Sequence, residues 1–314
     1  MPELLRRHRS WLEGAGWALS LIGALSFAGF VWQSILRDGG AAYDLHAYLL
    51  AGRNLLDGVP LYAPMEINDP GAYRYPPTFA ALAMPLALAP EEVVTWLYRV
   101  ACLGCVRSLV GSWRAVGWAL LFVPLQVELI ALNVTLPLAV VARLTLRGPA
   151  GGGATALLPA TAALKFGTVL LLPYLWLTRP AQRRSMLIGA AVLLGAFAIH
   201  AVIDPSVWRS YLASLTQQAA SANDAPFVGD QLLFLVPSTL VDFVVRLAIG
   251  VLLVVIAVRY RWDWLAFSAA ALAVPTFWLA RLAAFVGVPR LLLEDLRRRR
   301  DVSEAAGAAV PDAR

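Results

Sequence analysis

The sequence predicts an all-α integral membrane protein, a bundle of helices that crosses a lipid bilayer many times. Of its 314 residues, 60% are hydrophobic and only 15% are charged, and the mean hydropathy is +0.68. An ordinary soluble domain is closer to about half apolar and about a quarter charged. A compact soluble fold of this length could not bury so much apolar surface, whereas lipid accepts it.

Four apolar runs lie near the length of about 20 residues that a membrane-crossing helix needs. They are Gly16–Leu36, Val93–Val110, Met186–Ile203 and Pro237–Val258. The apolar stretches 115–146, 154–177 and 264–293 each have room for one or two further crossings. We therefore expect a multi-pass bundle of about 8 to 11 transmembrane or re-entrant helices.

The arginines occur in clusters, and every cluster flanks an apolar run. The clusters are Arg6, Arg7 and Arg9; Arg179, Arg183 and Arg184; Arg259 and Arg261; and Arg297–Arg300. Positively charged loops stay in the cytoplasm, so the net charge of +6 reflects membrane topology rather than binding of nucleic acid. This rule predicts a cytoplasmic N-terminus at 1–15, a membrane domain at 16–296 with outer loops at 37–75 and 204–236, and a disordered cytoplasmic tail at 297–314.

Two of the apolar stretches have arginines on both flanks. The stretch 154–177 lies between Arg147 and Arg179, and 264–293 lies between Arg261 and Arg297. If both flanks are cytoplasmic, each stretch must turn back, and each half would be only about 16–24 Å long as a helix. Such broken backbone is stable only when buried in protein or next to a wet cavity. In the alternative, Arg147 faces outside and 154–177 is a single span.

Three charged residues in or near the membrane are candidates for a functional site. Asp44 begins a predicted interfacial helix, where it could be a general base or an N-cap. Arg74, in Tyr73-Arg74-Tyr75-Pro76-Pro77, could bind a phosphate as a forked donor or could be a snorkelling arginine before the second predicted span. Lys165 lies amid apolar residues and needs a partner such as a phosphate or a carboxylate.

The sequence gives little support for a redox, metal or nucleotide site. Cys102 and Cys105 are the only cysteines, and we interpret them as packed thiols rather than a redox pair, because a redox CxxC favours a soluble βαβ context. His8, His46 and His200 are scattered, and no zinc-ligand spacing occurs. No phosphate-binding loop or dinucleotide motif is present, so we predict no metal, cofactor or nucleotide site.

Several of these segments together resemble the opening of glycosyltransferase family 87. The matching residues are Asp44 and Tyr48, Ala51, Leu55, Leu56, Gly58, Leu61, Tyr62, and Tyr75-Pro76-Pro77. Looser matches are Asn133, Ala163-Leu164-Lys165 with Pro173, Trp208-Arg209-Ser210-Tyr211, and Pro275 to Trp278. The chain departs from the family pattern at Ile130-Ala131, in place of Gly-Gln, and at Leu279, in place of His.

The resemblance implies a fold of the GT-C class and a hexosyltransferase, most simply a mannosyltransferase, in the cell membrane. Its donor would be a polyprenyl-phosphate sugar, and its acceptor a glycolipid or glycan hydroxyl on the extracytoplasmic face. Asp44 would then be the catalytic base, Arg74, Lys165 and Arg281 would bind the donor phosphate, and the substrate-binding residues would be His46, Tyr48, Tyr75, Asn133 and Trp278. The alternatives are a non-catalytic family member, which the departures favour, and a transporter of lipids or small molecules.

Overall fold

The computed structural model describes residues 9–38, 42–62, 73–148, 152–221, 239–273 and 279–308. Within these ranges the chain is helical and has no strand, which confirms the predicted all-α class. The helices are α1 (Arg9–Asp38), α2 (Tyr43–Asp57), α3 (Pro77–Ala87), α4 (Glu91–Val110), α5 (Trp113–Ala119), α6 (Val123–Ala131), α7 (Thr135–Arg147), α8 (Gly153–Leu164), α9 (Leu171–Thr178), α10 (Arg183–Ile203), α11 (Pro205–Ser221), α12 (Thr239–Tyr260), α13 (Asp263–Leu272) and α14 (Val288–Ala308). Short 3-10 helices occupy Phe166–Leu170, Pro180–Gln182 and Leu279–Gly287.

Four helical segments among the described residues are long and apolar enough to cross a membrane, which confirms the four clearest predicted spans. They are Glu13–Ser34, Glu91–Val110, Pro180–Ile203 and Val241–Tyr260. Only 6% of the most apolar part of Pro180–Ile203 is buried inside the protein. Its exposed apolar side chains would be unfavourable in water and are what a lipid-facing helix requires.

Helix α4 defines the two ends of the bundle. At its start, Glu91 lies 2.7 Å from His46 of α2. Near its end, the carbonyl of Ser108 accepts a hydrogen bond from Arg290 of α14. A helix of 20 residues is about 30 Å long, so these contacts lie at opposite ends of the bundle. We call them the tyrosine-rich end and the arginine-rich end, after the residues described below.

A buried carboxylate at the arginine-rich end joins segments that are distant in sequence. Asp263, whose side chain is 1% exposed, pairs with Arg147 and Arg179 at 2.9 Å and with Arg298 at 3.4 Å. Both flanks of the stretch 154–177 therefore lie on the same side of the bundle. The stretch turns back, and the alternative with Arg147 on the opposite side is wrong.

Three half-depth hairpins thus start and finish at the arginine-rich end. The hairpins are α5 to α7, α8 to α9, and α13 to α14, and in the first of them α5 and α6 are bent by 97°. Their arms α7, α8 and α13 have 13, 12 and 10 residues, or about 15–20 Å of helix. These arms reach only about the middle of a 30 Å hydrocarbon layer. Among the described residues, four helices are long enough for full crossings, with a fifth only if α5 and α6 count as a single bent span, and the other helices of the predicted 8 to 11 would be re-entrant arms.

The tips of the second and third hairpins meet with little space between them. A methyl group added at Gly167, just after the turn at Lys165, would lie 2.1 Å from the carbonyl oxygen of Ala270 in α13. Gly250 of α12 faces the same contact, because its added Cβ would lie 2.9 Å from Leu170 and 3.1 Å from Ala273. Glycine at both positions allows the backbones to approach, as small residues do between membrane helices.

Two further expectations need correction. Pro76 and Pro77 do begin a helix, but α3 has only 11 residues and is too short to be the membrane span that this motif was expected to enter. The predicted disordered tail is helical for most of its length, because α14 continues to Ala308. Residues 309–314 of that tail lie outside the described residues.

Candidate functional site

Asp44 is the second residue of α2 and is half-buried. The N-cap of this helix is Ala42, and no side chain caps it, so the N-cap interpretation of Asp44 is wrong. A carboxylate in the first turn of a helix is stabilised by the positive end of the helix dipole. Tyr48 follows one turn later on the same face of α2, and the two groups are close enough to interact electrostatically.

Tyr48 joins α2 to the tip of the first hairpin. Its hydroxyl donates to Asn133 Oδ1 at 3.2 Å and lies 3.3 Å from the hydroxyl of Tyr75. The carbonyl of Asn133 accepts a hydrogen bond from Tyr98 of α4 at 3.3 Å. Three predicted substrate-binding residues, Tyr48, Tyr75 and Asn133, are therefore brought together although they are up to 85 positions apart.

Burial raises the pKa of the Tyr48 phenol well above its ordinary value, and the nearby Tyr75 and Asp44 raise it further. The hydroxyl therefore stays protonated and remains a hydrogen-bond donor at neutral pH. A neutral donor beside a carboxylate is a combination that can orient a substrate hydroxyl toward a base.

The tip of the first hairpin has an unusual backbone. Leu132, which ends α6, adopts a left-handed conformation with φ of 56°. Few residues other than glycine and asparagine adopt this region, and doing so costs energy that the surrounding structure must supply. Its side chain is fully buried, which holds the turn in place. The result is that Asn133 faces Tyr48, while its Oδ1 also accepts the N–H of Val134 at 2.7 Å.

Lys165 occupies the tip of the second hairpin. Its backbone is extended, so it separates α8 from the 3-10 helix that follows. Its side chain is buried, and the residue is only 6% exposed. It borders a cavity of about 50 Å³, which is room for one or two waters. The polar residues of the cavity wall are Lys165, Thr135 and Thr168; the rest are Leu138, Ala139, Ala142, Phe267, Ala270, Ala271 and Ala284.

The cavity adjoins the tyrosine and asparagine cluster. Thr135 lines it only two residues after Asn133, and the Thr135 N–H donates to the buried carboxylate of Glu128 at 3.1 Å. The first hairpin therefore presents one polar residue toward Tyr48 and another toward Lys165. A buried cation beside this small cavity suits an anionic group, and any long apolar tail of such a ligand would lie outside the cavity.

The remaining predicted site residues are distributed differently. Arg74 is half-buried and immediately precedes Tyr75, within the segment that carries the tyrosines. The backbone of Arg281 lies in the 3-10 segment that also supplies Ala284 to the cavity wall. The side chain of Arg281 and all of Trp278 lie outside the described residues.

His46 does not join the cluster. Its side chain is 50% exposed, and its Nδ1 lies 2.7 Å from the carboxylate of Glu91. Residues two positions apart on a helix face different directions, so His46 cannot share the face that Asp44 and Tyr48 present. His46 therefore lies apart from the cluster and connects α2 to α4, and its substrate-binding role stays a prediction.

A buried ion pair in α12 was not predicted from the sequence. Asp242 and Arg246 are 0% and 1% exposed, and their side chains meet at 2.7 Å. Arg246 also donates to the carbonyl of Leu272 at the end of α13, and the ring of Phe243 contacts that of Phe166. The pair therefore lies beside the tips of the second and third hairpins. Its sequence signal was an acidic and a basic residue four positions apart within an apolar run.

Cys102 is buried in the hydrophobic core, Cys105 is partly buried against it, and both are free, which agrees with the interpretation as packed thiols. Among the described residues, no group of three histidines, cysteines or carboxylates could hold a metal ion.

No family model, curated protein or solved structure matches the chain.

Proposed function

We propose that the protein is a membrane glycosyltransferase that moves a hexose, most simply mannose, from a polyprenyl-phosphate sugar to a hydroxyl of a glycolipid or glycan. The observation that carries the proposal is a series of three features that are linked through the tip of the first hairpin. They are a half-buried carboxylate on α2, the hydroxyl and amide groups at the tip of the first hairpin, and a buried lysine on an apolar cavity next to that tip.

Asp44 is the base in this proposal. Its carboxylate removes the proton of the acceptor hydroxyl, and the acceptor oxygen forms a bond to the anomeric carbon of the donor sugar. The bond between that carbon and the phosphate oxygen breaks, and the polyprenyl phosphate leaves with the electron pair. Attack from the opposite side inverts the anomeric centre. A positioned base contributes typically about 10²–10⁴-fold to such a step.

Lys165 lines the apolar cavity and would stabilise the leaving phosphate, with Arg74 and Arg281 as further donors. Cations aimed at developing negative charge stabilise a transition state more strongly where water is excluded. The polyprenyl chain would lie in the adjoining lipid, because a cavity of about 50 Å³ is too small to hold it. Tyr48, Tyr75 and Asn133 would orient hydroxyl groups of the two substrates.

The test is sugar transfer from radiolabelled polyprenyl-phosphate-mannose by membranes that contain the protein, with native lipid extract as acceptor. We expect label in a new product with the wild type and a loss of at least about 100-fold in Asp44→Asn. Asp57→Asn is the matched control, because Asp57 is an exposed carboxylate at the other end of the same helix. Full activity in Asp44→Asn would exclude the proposed base.

The same assay separates the competing functions. A folded wild type that binds the donor but transfers no sugar to any tested acceptor would favour a non-catalytic lipid-sugar binder. Movement of the intact labelled donor across a sealed vesicle membrane would favour a transporter, a class in which broken helices and buried charges also occur.

A further inference from the structure

Helix α14 lies across the arginine-rich end of the bundle. Near its start, Arg290 donates to the carbonyl of Ser108, close to the end of α4. Further along, Arg299 donates to the carbonyl of Tyr260, the last residue of α12. The two arginines are nine positions apart by their numbers, or about 14 Å along a helix. Because α4 and α12 are both long enough to cross a membrane, α14 connects the ends of two crossing helices and lies along the membrane surface.

The end of α12 lies at the depth of the lipid headgroups. The apolar span Val241–Tyr260 finishes there, so the residues that follow leave the hydrocarbon layer. Leu252 and Val255 are 58% and 59% exposed, which makes their face of α12 the lipid-facing one. Arg259 follows Val255 by four positions on that face and is exposed. Its guanidinium is therefore placed at the boundary between hydrocarbon and headgroups.

Two more exposed arginines, Arg261 and Arg299, surround the same helix end. The guanidinium carbon of Arg299 lies over the ring of Trp262, 4.8 Å from its centroid. The Trp262 ring is in turn 5.6 Å from the ring of Tyr260, which is 54% exposed. Tyrosine and tryptophan rings beside cations are typical of a membrane interface.

The backbone of Arg261 adopts a left-handed conformation, with φ of 53°. The N–H of Trp262 closes the end of α12 on the carbonyl of Ala257 at 3.0 Å. Glycine is the usual residue in this conformation at a helix end, because a side chain there costs free energy. An arginine in this position therefore indicates that its side chain serves a purpose other than the stability of the fold.

The arginines of this end differ in whether a carboxylate neutralises them. The buried or partly buried acids Asp263, Glu294 and Asp295 pair with other arginines. Within the described ranges, no carboxylate forms an ion pair with any of the three arginines at the end of α12. Their positive charges are therefore available to an anionic group that approaches from outside the bundle.

We infer that Arg259, Arg261 and Arg299 bind the headgroup of an anionic phospholipid in the leaflet at the arginine-rich end. The headgroup phosphate accepts hydrogen bonds from the guanidinium groups, and the acyl chains run along the lipid-facing side of α12. Free phosphate would gain nothing from that exposed apolar face, and the choline of a zwitterionic lipid would bring a positive charge toward the arginines. The site lies at the opposite end of the bundle from Asp44 and does not depend on the proposed sugar transfer.

The experiment compares two lipids on the full chain. Native mass spectrometry of the protein in detergent measures how much phosphatidylglycerol or phosphatidylcholine, with identical acyl chains, remains bound. We expect the wild type to retain phosphatidylglycerol preferentially, and this preference to fall about fivefold in each of Arg261→Gly and Arg299→Gln. Arg300→Gln is the matched control, because Arg300 is also exposed, is adjacent to Arg299 and already pairs with Glu304.

The Arg261→Gly variant separates lipid binding from folding. Glycine suits the left-handed backbone, so this variant should melt no lower than the wild type in detergent while it loses the lipid preference. Equal retention of the two lipids by the wild type, or an unchanged preference in folded Arg261→Gly and Arg299→Gln, would overturn the site. An equal loss in Arg300→Gln would mean that surface charge alone attracts the lipid, and displacement of the lipid by inorganic phosphate would mean that the site takes free phosphate. Either of these results would also overturn the inference.

Discussion

Asp263 should be the residue on which the membrane fold depends most strongly at its arginine-rich end. The carboxylate pairs with three arginines and accepts a hydrogen bond from the hydroxyl of Tyr174 at 2.6 Å. In Asp263→Asn the shape is kept and the negative charge is lost. Breaking a buried ion pair by removing one partner typically costs about 3–5 kcal/mol.

The neighbours of Asp263 indicate where in that range the cost falls. Arg147 keeps Asp295 and Glu294 as partners at 2.9 Å, and Arg298 is half in solvent. Arg179 is the arginine that loses most, since it is 27% exposed and Asp263 is the acid with which it pairs. We therefore expect the lower limit, about 3 kcal/mol. At about 2 °C per kcal/mol for a chain of this size, the melting temperature should fall by roughly 6 °C.

The assay is thermal unfolding of purified protein in detergent, followed by tryptophan fluorescence at one fixed heating rate. Arg300→Gln serves as the control, because it breaks an exposed pair with Glu304 at 3.4 Å. Exposed pairs contribute about 0–1 kcal/mol, so this variant should melt close to the wild type. If Asp263→Asn melts no lower than Arg300→Gln, the carboxylate does not hold the hairpins together and our account of the arginine-rich end is wrong.

Two further predictions concern the hairpin tips and the start of α11. Gly167→Ala should lower the melting temperature, because its Cβ would meet the carbonyl of Ala270 at 2.1 Å, whereas Gly195→Ala, with open space around it, should not. Equal melting of the two glycine variants would refute the close contact. Hydrogen bonds from Ser206 lower the pKa of Asp204 below its ordinary value of 3.8, so its capping contribution is present at neutral pH and is lost as the pH falls through the lowered value. Asp204→Ala should therefore melt below the wild type at pH 7, with a difference that shrinks below about pH 4; a constant difference would contradict this.

The four crossings could be predicted because each is one uninterrupted apolar run of full length. The second and third hairpins were also foreseeable, since an apolar stretch with cytoplasmic arginines on both flanks must return, whereas the first hairpin was not foreseen. The sequence left Arg147 ambiguous, and only its contact with Asp263, 116 positions away by their numbers, decides the matter. Contacts between residues so far apart depend on the packing of the whole bundle. Local sequence patterns carry no information about that packing.

The site was predictable in part for the same reason. Asp44 and Tyr48 lie on one face of one helix, so their proximity follows from spacing alone. That Asn133 joins them depends on a left-handed Leu132 and on the 97° bend between α5 and α6, neither of which a single sequence signals. Asp242 and Arg246 escaped notice because averaging over an apolar run hides two charges that neutralise each other.

The ion pairs of Asp263 also impose an order on synthesis of the chain. Arg147 and Arg179 leave the ribosome before Asp263 does, and the arms between them are too short to cross the bilayer and remain there as independent spans. Their broken backbone needs protein around it, and the buried carboxylate that joins both flanks of the second hairpin is made later. Until Asp263 is made, Arg147 and Arg179 lack this partner. A chain truncated before residue 263 would be a target for membrane quality control rather than a smaller version of the fold.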